Sequence, residues 1–120
     1  MGNILQLTPC ATAALNHFGV DGCATWNERT GQNVWPGALR RAGFGVRSRM
    51  SHLRSKERTV GGARARMRTI ADNEPGIIAF IVRVPRHVLV IDRSGITVVD
   101  TAPRKRDARR IVGLFAIIGE

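Results

Sequence analysis

Tyrosine is absent from this chain, aromatic residues make up only 5% of it, and acidic residues number 9 against 19 basic ones. The shortage of aromatic rings argues against a protein that binds single-stranded nucleic acid by base stacking. Cysteine is also scarce, and two residues are too few for a disulfide framework. We therefore expect Cys10 and Cys23 to be reduced thiols, although the sequence leaves a single bond between them open.

Long apolar segments are absent too. The longest run, GIIAFIV at residues 76–82, is far too short to span a membrane. The first residues, MGNILQLT, lack the basic start and long apolar centre of a secretion signal. We therefore expect a cytoplasmic protein without a membrane partner. The 120 residues suit a single domain over 1–120, and a hydrophobic content of 43% is enough for a folded core.

The positive charge of this chain is concentrated in its middle third. The formal net charge is +10, and residues 36–70 alone carry ten basic residues and one acidic residue. A nucleic acid or another polyanion is therefore a candidate partner, held through phosphate contacts without sequence readout. The arginines that we expect to bind an anion are Arg40, Arg41, Arg47, Arg49, Arg64, Arg66 and Arg68.

Helical patterns come first along the chain. Pro9 precedes an alanine- and leucine-bearing run, which predicts a helix that begins at Cys10 and ends near His17. Further short helices are predicted over residues 24–30 and 35–45, followed by a strand over 46–50. A helix over 59–71 is also predicted, although its Gly-Gly pair disfavours it. Its apolar face would consist of Val60, Ala63, Met67 and Ile70.

Strand patterns dominate after the NEPG turn. Four runs rich in β-branched residues are separated by short turn signals, which predicts an antiparallel meander. The predicted strands cover residues 77–84, 87–92, 96–101 and 111–118. Helices followed by a sheet make this an α+β domain.

One set of residues has the chemistry of a thiol nucleophile. A cysteine at a helix N-terminus is stabilised as a thiolate by the free N–H groups and aligned peptide dipoles there. Such a thiolate also needs a histidine base and a third polar group that orients the imidazole. His87 begins a predicted strand, and the hairpin that follows would place Asp100 next to it. We prefer Asp100 to Asp92, which would point to the other face of the strand, roughly 16 Å away along it.

The segments PCATAALNHF, RHVLVID and GITVVDT, in this order, resemble the papain-like fold and, within it, the compact bacterial C39-like cysteine peptidases. The resemblance implies Cys10 as nucleophile, His87 as general base and acid, and Asp100 as the orienting residue. It also implies an oxyanion-binding glutamine before the nucleophile, for which Gln6 is the candidate. The chain departs from the family in the short spacing of Gln6 and in having Ala11 where the family has glycine.

Two functions from different classes follow from these patterns. The first is a thiol-dependent peptidase or amide hydrolase with a basic surface for an anionic partner or substrate. The alternative is a catalytically inactive papain-like domain that serves as a basic nucleic-acid-binding or assembly protein, such as a phage component. We expect no cofactor and no metal, because no pair among the cysteines and histidines has the short spacing of familiar zinc sites. For Trp26 and Trp35, the sequence leaves open core packing or one wall of a substrate cleft.

Overall fold

A computed structural model describes the backbone of residues 2–20, 26–27, 32–33, 35–103 and 107–119, and the side chains of 10–20, 35–103 and 107–119. Within these ranges the protein is an α+β domain, as predicted. Its helices are α1 (Gly2–His17), α2 (Trp35–Arg41) and α3 (Val60–Asn73). Its strands are β1 (Trp26–Asn27), β2 (Gln32–Asn33), β3 (Gly45–Ser48), β4 (Ile77–Val84), β5 (His87–Asp92), β6 (Thr97–Val99) and β7 (Gly113–Ile118).

The main sheet has five antiparallel strands in the order β3-β7-β4-β5-β6. The predicted meander is confirmed for β4, β5 and β6, but it was wrong for the last strand, which inserts between β3 and β4. The physical reason is that β7 buries apolar side chains on both faces of the sheet. Leu114 and Ala116 pack on one side of the sheet and Ile117 on the other, so β7 is a central strand rather than an edge strand.

Helices cover both faces of this sheet. On one face, α3 packs Val60, Met67 and Ile70 against alternate residues of β4 and β5, among them Phe80 and Leu89. On the other face, α1 and α2 pack against the residues in between, such as Ile81 and Val90. The two-residue side-chain period of the strands therefore divides the core into two halves with the sheet between them.

The predicted apolar face of α3 is confirmed, because Val60, Ala63, Met67 and Ile70 are all buried. The Gly-Gly pair does not prevent this helix. Thr59 caps it by accepting a hydrogen bond from the Gly62 N–H at 3.1 Å. A Cβ on Gly62 would lie 2.8 Å from the Thr59 hydroxyl oxygen, so glycine lets the cap close tightly.

Two predicted helices differ in the structure. The first helix begins at Gly2 rather than at Cys10, so the expectation that Cys10 lies at a helix N-terminus was wrong. Pro9 lacks an N–H and leaves one helical hydrogen bond unmade, but the helix continues because Ala11, Ala14 and Leu15 are buried. The prediction of a helix over residues 24–30 was also wrong. In the described part of this segment, Trp26–Asn27 forms a short strand that pairs antiparallel with Gln32–Asn33. No helix in the described ranges is both long and apolar enough to cross a membrane.

Candidate active site

His87 and Asp100 are in direct contact, as the sequence predicted. Nε2 of His87 lies 2.7 Å from Oδ1 of Asp100. His87 is the first residue of β5, and Asp100 directly follows β6, the neighbouring strand. A register shift between the Val90–Val99 and Ile91–Thr97 pairs adds one residue to β6, and the hairpin still brings the two side chains together.

The carboxylate of Asp100 is held from several sides. Its side chain is only 4% exposed. Oδ2 accepts a hydrogen bond from Nη2 of Arg109 at 2.5 Å, and Oδ1 accepts one from the Ala102 N–H at 2.9 Å. Burial by itself would raise the pKa of Asp100, but the hydrogen bonds from Arg109, Ala102 and His87 outweigh it and hold the pKa below its usual range. Asp100 is therefore ionised at neutral pH.

The ionised state of Asp100 determines which nitrogen of His87 can act as a base. A carboxylate only accepts hydrogen bonds, so the neutral imidazole must carry its proton on Nε2, which donates to Asp100. The other ring nitrogen, Nδ1, then has the lone pair. Asp100 thus presents His87 in the tautomer whose Nδ1 can accept a proton from a thiol.

Arg109 joins a second buried carboxylate to this pair. Its Nε and Nη2 donate to Oδ1 and Oδ2 of Asp107 at 2.8 and 2.6 Å. The hydrogen bonds from Arg109 lower the pKa of Asp107 and outweigh the opposing effect of burial, and the same contacts raise the pKa of Arg109. The Asp107 side chain is 4% exposed and that of Arg109 is 17% exposed, so water screens this cluster weakly.

Cys10 and His87 line the same cavity at the β4–β5 hairpin end of the sheet. The cavity has a volume of about 550 Å³, and Cys10, Ala11 and Trp35 contribute one wall of it. Trp35 is also buried and packs edge-to-face on Phe115, which confirms core packing for this residue, whereas the side chain of Trp26 lies outside the described residues. The residues on the hairpin side of the cavity are Arg83, Val84, Pro85, Arg86, His87 and Val88.

The alternation of side chains along β5 determines from which direction the side chains of Cys10 and His87 can approach each other. Val88 and Val90 lie on the face of the sheet that packs against α1. Because side chains alternate along a strand, His87 lies on the opposite face together with Leu89, which packs against α3. His87 reaches the cavity because it is the first residue of the strand. A pair between the Cys10 thiol and the imidazole therefore has to form around the end of the sheet rather than across its face.

A thiol nucleophile of this kind commonly uses its own backbone N–H and a side-chain amide, here that of Gln6, to bind the oxyanion. Cys10 lies well inside α1, and in a regular α-helix the N–H of residue 10 donates to the carbonyl of residue 6. The Cys10 N–H is therefore not available for an oxyanion as the helix stands. Gln6 lies on α1 one turn before Cys10, but its side chain is outside the part of the chain that the structure describes, as is Cys23.

Four of the seven arginines predicted to bind an anion make contacts within the protein. Arg49 forms a bidentate pair with Glu74 at 2.8 and 2.5 Å, and Arg66 pairs with Glu57 at 3.1 Å. Arg64 donates to Gly95 and Thr97, and Arg40 donates to the Val46 carbonyl. These guanidinium groups support the fold, and the other three arginines of the predicted set, Arg41, Arg47 and Arg68, are exposed.

Sequence reasoning missed Arg83, Arg86 and Arg109. The signal for Arg86 was its place between Pro85 and the candidate base His87, directly beside the site. Arg83 lies four residues before His87, across a two-residue turn, which also places it near that end of the sheet. Nothing local to Arg109 connects it with Asp100, so only the folded chain reveals that contact.

No metal site is formed by the described side chains, since no group of three among their His, Cys, Asp and Glu residues is arranged to hold an ion. Comparison with known proteins adds no family. No protein-family model matches this chain, and no curated protein or solved structure matches it significantly. The function of this protein is therefore inferred from the geometry of the cavity and of the His87–Asp100–Arg109 cluster.

The depressed pKa values of Asp100 and Asp107 predict loss of stability in acid. Both carboxyls have a lower pKa in the folded protein than in the unfolded chain, so the unfolded chain binds more protons as the pH falls. This contribution to stability is complete above about pH 5 and is lost as the pH falls below about 4 towards the folded-state values. We expect the free energy of unfolding, measured in urea, to decrease steeply over that acid range.

The variant Asp107→Asn is the matched control for this acid effect. It removes one of the two carboxyls and should flatten the acid decrease while lowering stability at neutral pH. A free energy of unfolding that stays constant from about pH 5 to pH 3 in the unmodified protein would contradict the assignment.

Proposed function

We propose that this protein is a papain-like, C39-like thiol hydrolase that cleaves amide bonds in peptides. Cys10 is the nucleophile, His87 the general base and acid, and Asp100 the residue that orients His87. The observation that carries the proposal is the 2.7 Å contact between His87 and the buried Asp100 beside a cavity that Cys10 also lines. The arrangement of helices on an antiparallel sheet agrees with the papain-like resemblance of the sequence.

The chemistry proceeds in two acyl-transfer steps. His87 Nδ1 takes the proton of the Cys10 thiol, and the sulfur attacks the substrate carbonyl carbon. The C–N bond then breaks as His87 gives this proton to the leaving amine, which leaves a thioester on Cys10. Water attacks the thioester, again with His87 as the base, and releases the acid with the thiol restored. Asp100 stays ionised throughout and stabilises the imidazolium that forms in each step.

The reactivity of Cys10 tests this proposal directly. In the reduced protein carrying Cys23→Ser, iodoacetamide should alkylate Cys10 at about pH 6 roughly tenfold or more faster when His87 is present than in the variant His87→Ala. The reason is that a thiolate paired with an imidazolium persists at a pH where an ordinary thiol is protonated. Mass spectrometry of the labelled protein over time gives the two rates.

The variant His52→Ala is the matched control, because His52 is exposed on a short 3₁₀ turn and does not line the Cys10 cavity. It should leave the alkylation rate unchanged. Equal rates in the His87→Ala variant and its parent at every pH would refute the proposed ion pair. The non-catalytic alternative, a basic domain that binds nucleic acid through residues such as Arg41, Arg47 and Arg68, would then be the better account.

A further inference from the structure

The cavity that contains Cys10 and His87 has a strongly positive wall. Among the described residues that line it, Arg83 and Arg86 carry full positive charges and none is acidic. Both come from the β4–β5 hairpin, Arg83 near the end of β4 and Arg86 in the turn. The candidate site is therefore electropositive through residues that lie outside the basic middle segment of the chain.

Arg83 belongs to an otherwise apolar row on the α1 side of the sheet. Side chains alternate along β4, so Arg83 shares a face with Ala79 and Ile81, which pack with α1 and α2. The residues on its two sides, Val82 and Val84, pack with α3. Arg83 itself is exposed and lines the cavity, so its charge acts on a ligand bound there.

Arg86 occupies a backbone position that suits glycine. It is the second residue of a two-residue turn, because Val84 pairs with His87, and its φ of 62° lies in the left-handed region. It is the only residue other than glycine with positive φ in the described ranges. Strained backbone of this kind clusters at binding and catalytic sites, and here it belongs to an exposed arginine that directly precedes the candidate base and lines the same cavity.

We infer that Arg83 and Arg86 bind a carboxylate of the substrate, so that the site takes acidic peptides. This inference rests on the proposed hydrolase function and names its substrate class. Guanidinium groups bind carboxylates through paired, charge-assisted hydrogen bonds, and the cavity supplies two of them beside the reacting groups. The carboxylate is either an Asp or Glu side chain near the scissile bond or the C-terminus of the peptide.

Matched peptide substrates test this inference. Two pools of internally quenched peptides are compared: one carries Glu and Asp around variable positions, and the other carries Gln and Asn at the same places. Each pool is prepared both with a free and with an amidated C-terminus. We expect kcat/KM to be about tenfold or more higher for the acidic pool than for the neutral one. Loss of activity on amidation alone would identify the C-terminal carboxylate as the recognised group.

The variant Arg86→Gly separates recognition from folding. Glycine suits the left-handed turn, so its melting temperature should be equal to or higher than that of the unmodified protein, yet the preference for acidic peptides should fall by about tenfold. Arg83→Gln should reduce the preference in the same way. The control Arg58→Gln removes an exposed arginine outside the cavity and should leave the preference unchanged.

The two proposals fail in distinguishable ways. If Cys10-dependent cleavage is equally fast for acidic and neutral peptides, or if Arg86→Gly keeps the full preference, the recognition inference is wrong and the hydrolase stands. If no pool is cleaved, the recognition inference is tested by peptide binding instead. Binding of a labelled acidic peptide to the Cys10→Ala variant is measured by fluorescence anisotropy. Binding that Arg86→Gly weakens about tenfold would support the arginine site, and binding that it leaves unchanged would overturn it.

Discussion

Replacing His87 with alanine is expected to lower peptide hydrolysis by about a thousandfold or more, because a positioned acid–base group contributes roughly 10²–10⁴ in rate. The loss should appear in kcat rather than in KM, since His87 acts on the proton being transferred and does not hold the bound peptide. Asp100→Asn should give a smaller but still large loss. An asparagine amide can hold the ring in the opposite tautomer, with the proton on Nδ1 instead of Nε2.

A double substitution sharpens this test. Groups that act as one unit are not additive, so Cys10→Ala and His87→Ala together should be no slower than Cys10→Ala alone. Initial rates on the acidic quenched peptides provide the measurement, and thermal melting of each variant excludes unfolding as the cause. Two independent, multiplying losses would mean that Cys10 and His87 do not act on the same proton.

The largest expected effect on stability is that of Arg109→Met. This change removes the guanidinium that joins Asp100 and Asp107 and leaves two carboxylates, each 4% exposed, without their main partner. Breaking a buried ion pair on one side typically costs about 3–5 kcal/mol. We therefore expect the free energy of unfolding in urea to fall by about that amount at neutral pH.

The pH dependence of the Arg109→Met effect distinguishes charge from packing. Protonation removes the unpaired charges of Asp100 and Asp107, so the difference between the variant and the unmodified protein should shrink as the pH falls below about 4. The neighbouring Arg110→Met is the matched control, because Arg110 is exposed and its loss should matter by no more than about 0.5 kcal/mol. A deficit of the same size at every pH would show that Arg109 acts through packing instead.

Arg109 also links stability to the proposed chemistry. It holds Asp100 through Oδ2, while His87 uses Oδ1 of the same carboxylate. In the proposed mechanism Arg109 is therefore a positioning residue, and its loss should slow the alkylation of Cys10 at about pH 6 as well as reduce stability. Arg109→Lys keeps the charge but cannot bridge two carboxylates with a planar fork, so it should restore only part of both properties.

Turn residues and the periodicity of apolar side chains explain how much of the site could be predicted from the sequence alone. The turn at Gly95, which has a φ of 83°, and the β-branched runs on either side of it are enough to define the β5–β6 hairpin. A hairpin fixes approximately which residues are neighbours, so the contact between His87 and Asp100 was predictable from the order of residues, although the extra residue in β6 was not. The buried face of α3 was predictable for the same reason, since Val60, Ala63, Met67 and Ile70 recur at helical spacing.

The start of α1 shows where local pattern misleads. Pro9 is a common first-turn residue, which made Cys10 the expected start of the helix. In the structure, packing of Ala14 and Leu15 against the sheet supports a helix that extends to Gly2 in spite of the proline. The helix N-terminus therefore does not stabilise a Cys10 thiolate, and the proposed nucleophilic role of Cys10 depends on His87 alone.

The sequence by itself determined the α+β class, most of the strands and the pairing of His87 with Asp100, because each depends on side-chain periods and turns within a few residues. Only the tertiary structure decided that β7 lies inside the sheet, that Arg109 holds Asp100, and that Arg83 and Arg86 line the cavity with Cys10. These contacts join segments distant along the chain. They depend on the burial of apolar residues on both faces of one sheet, which is a property of the whole fold and cannot be predicted from a few neighbouring residues.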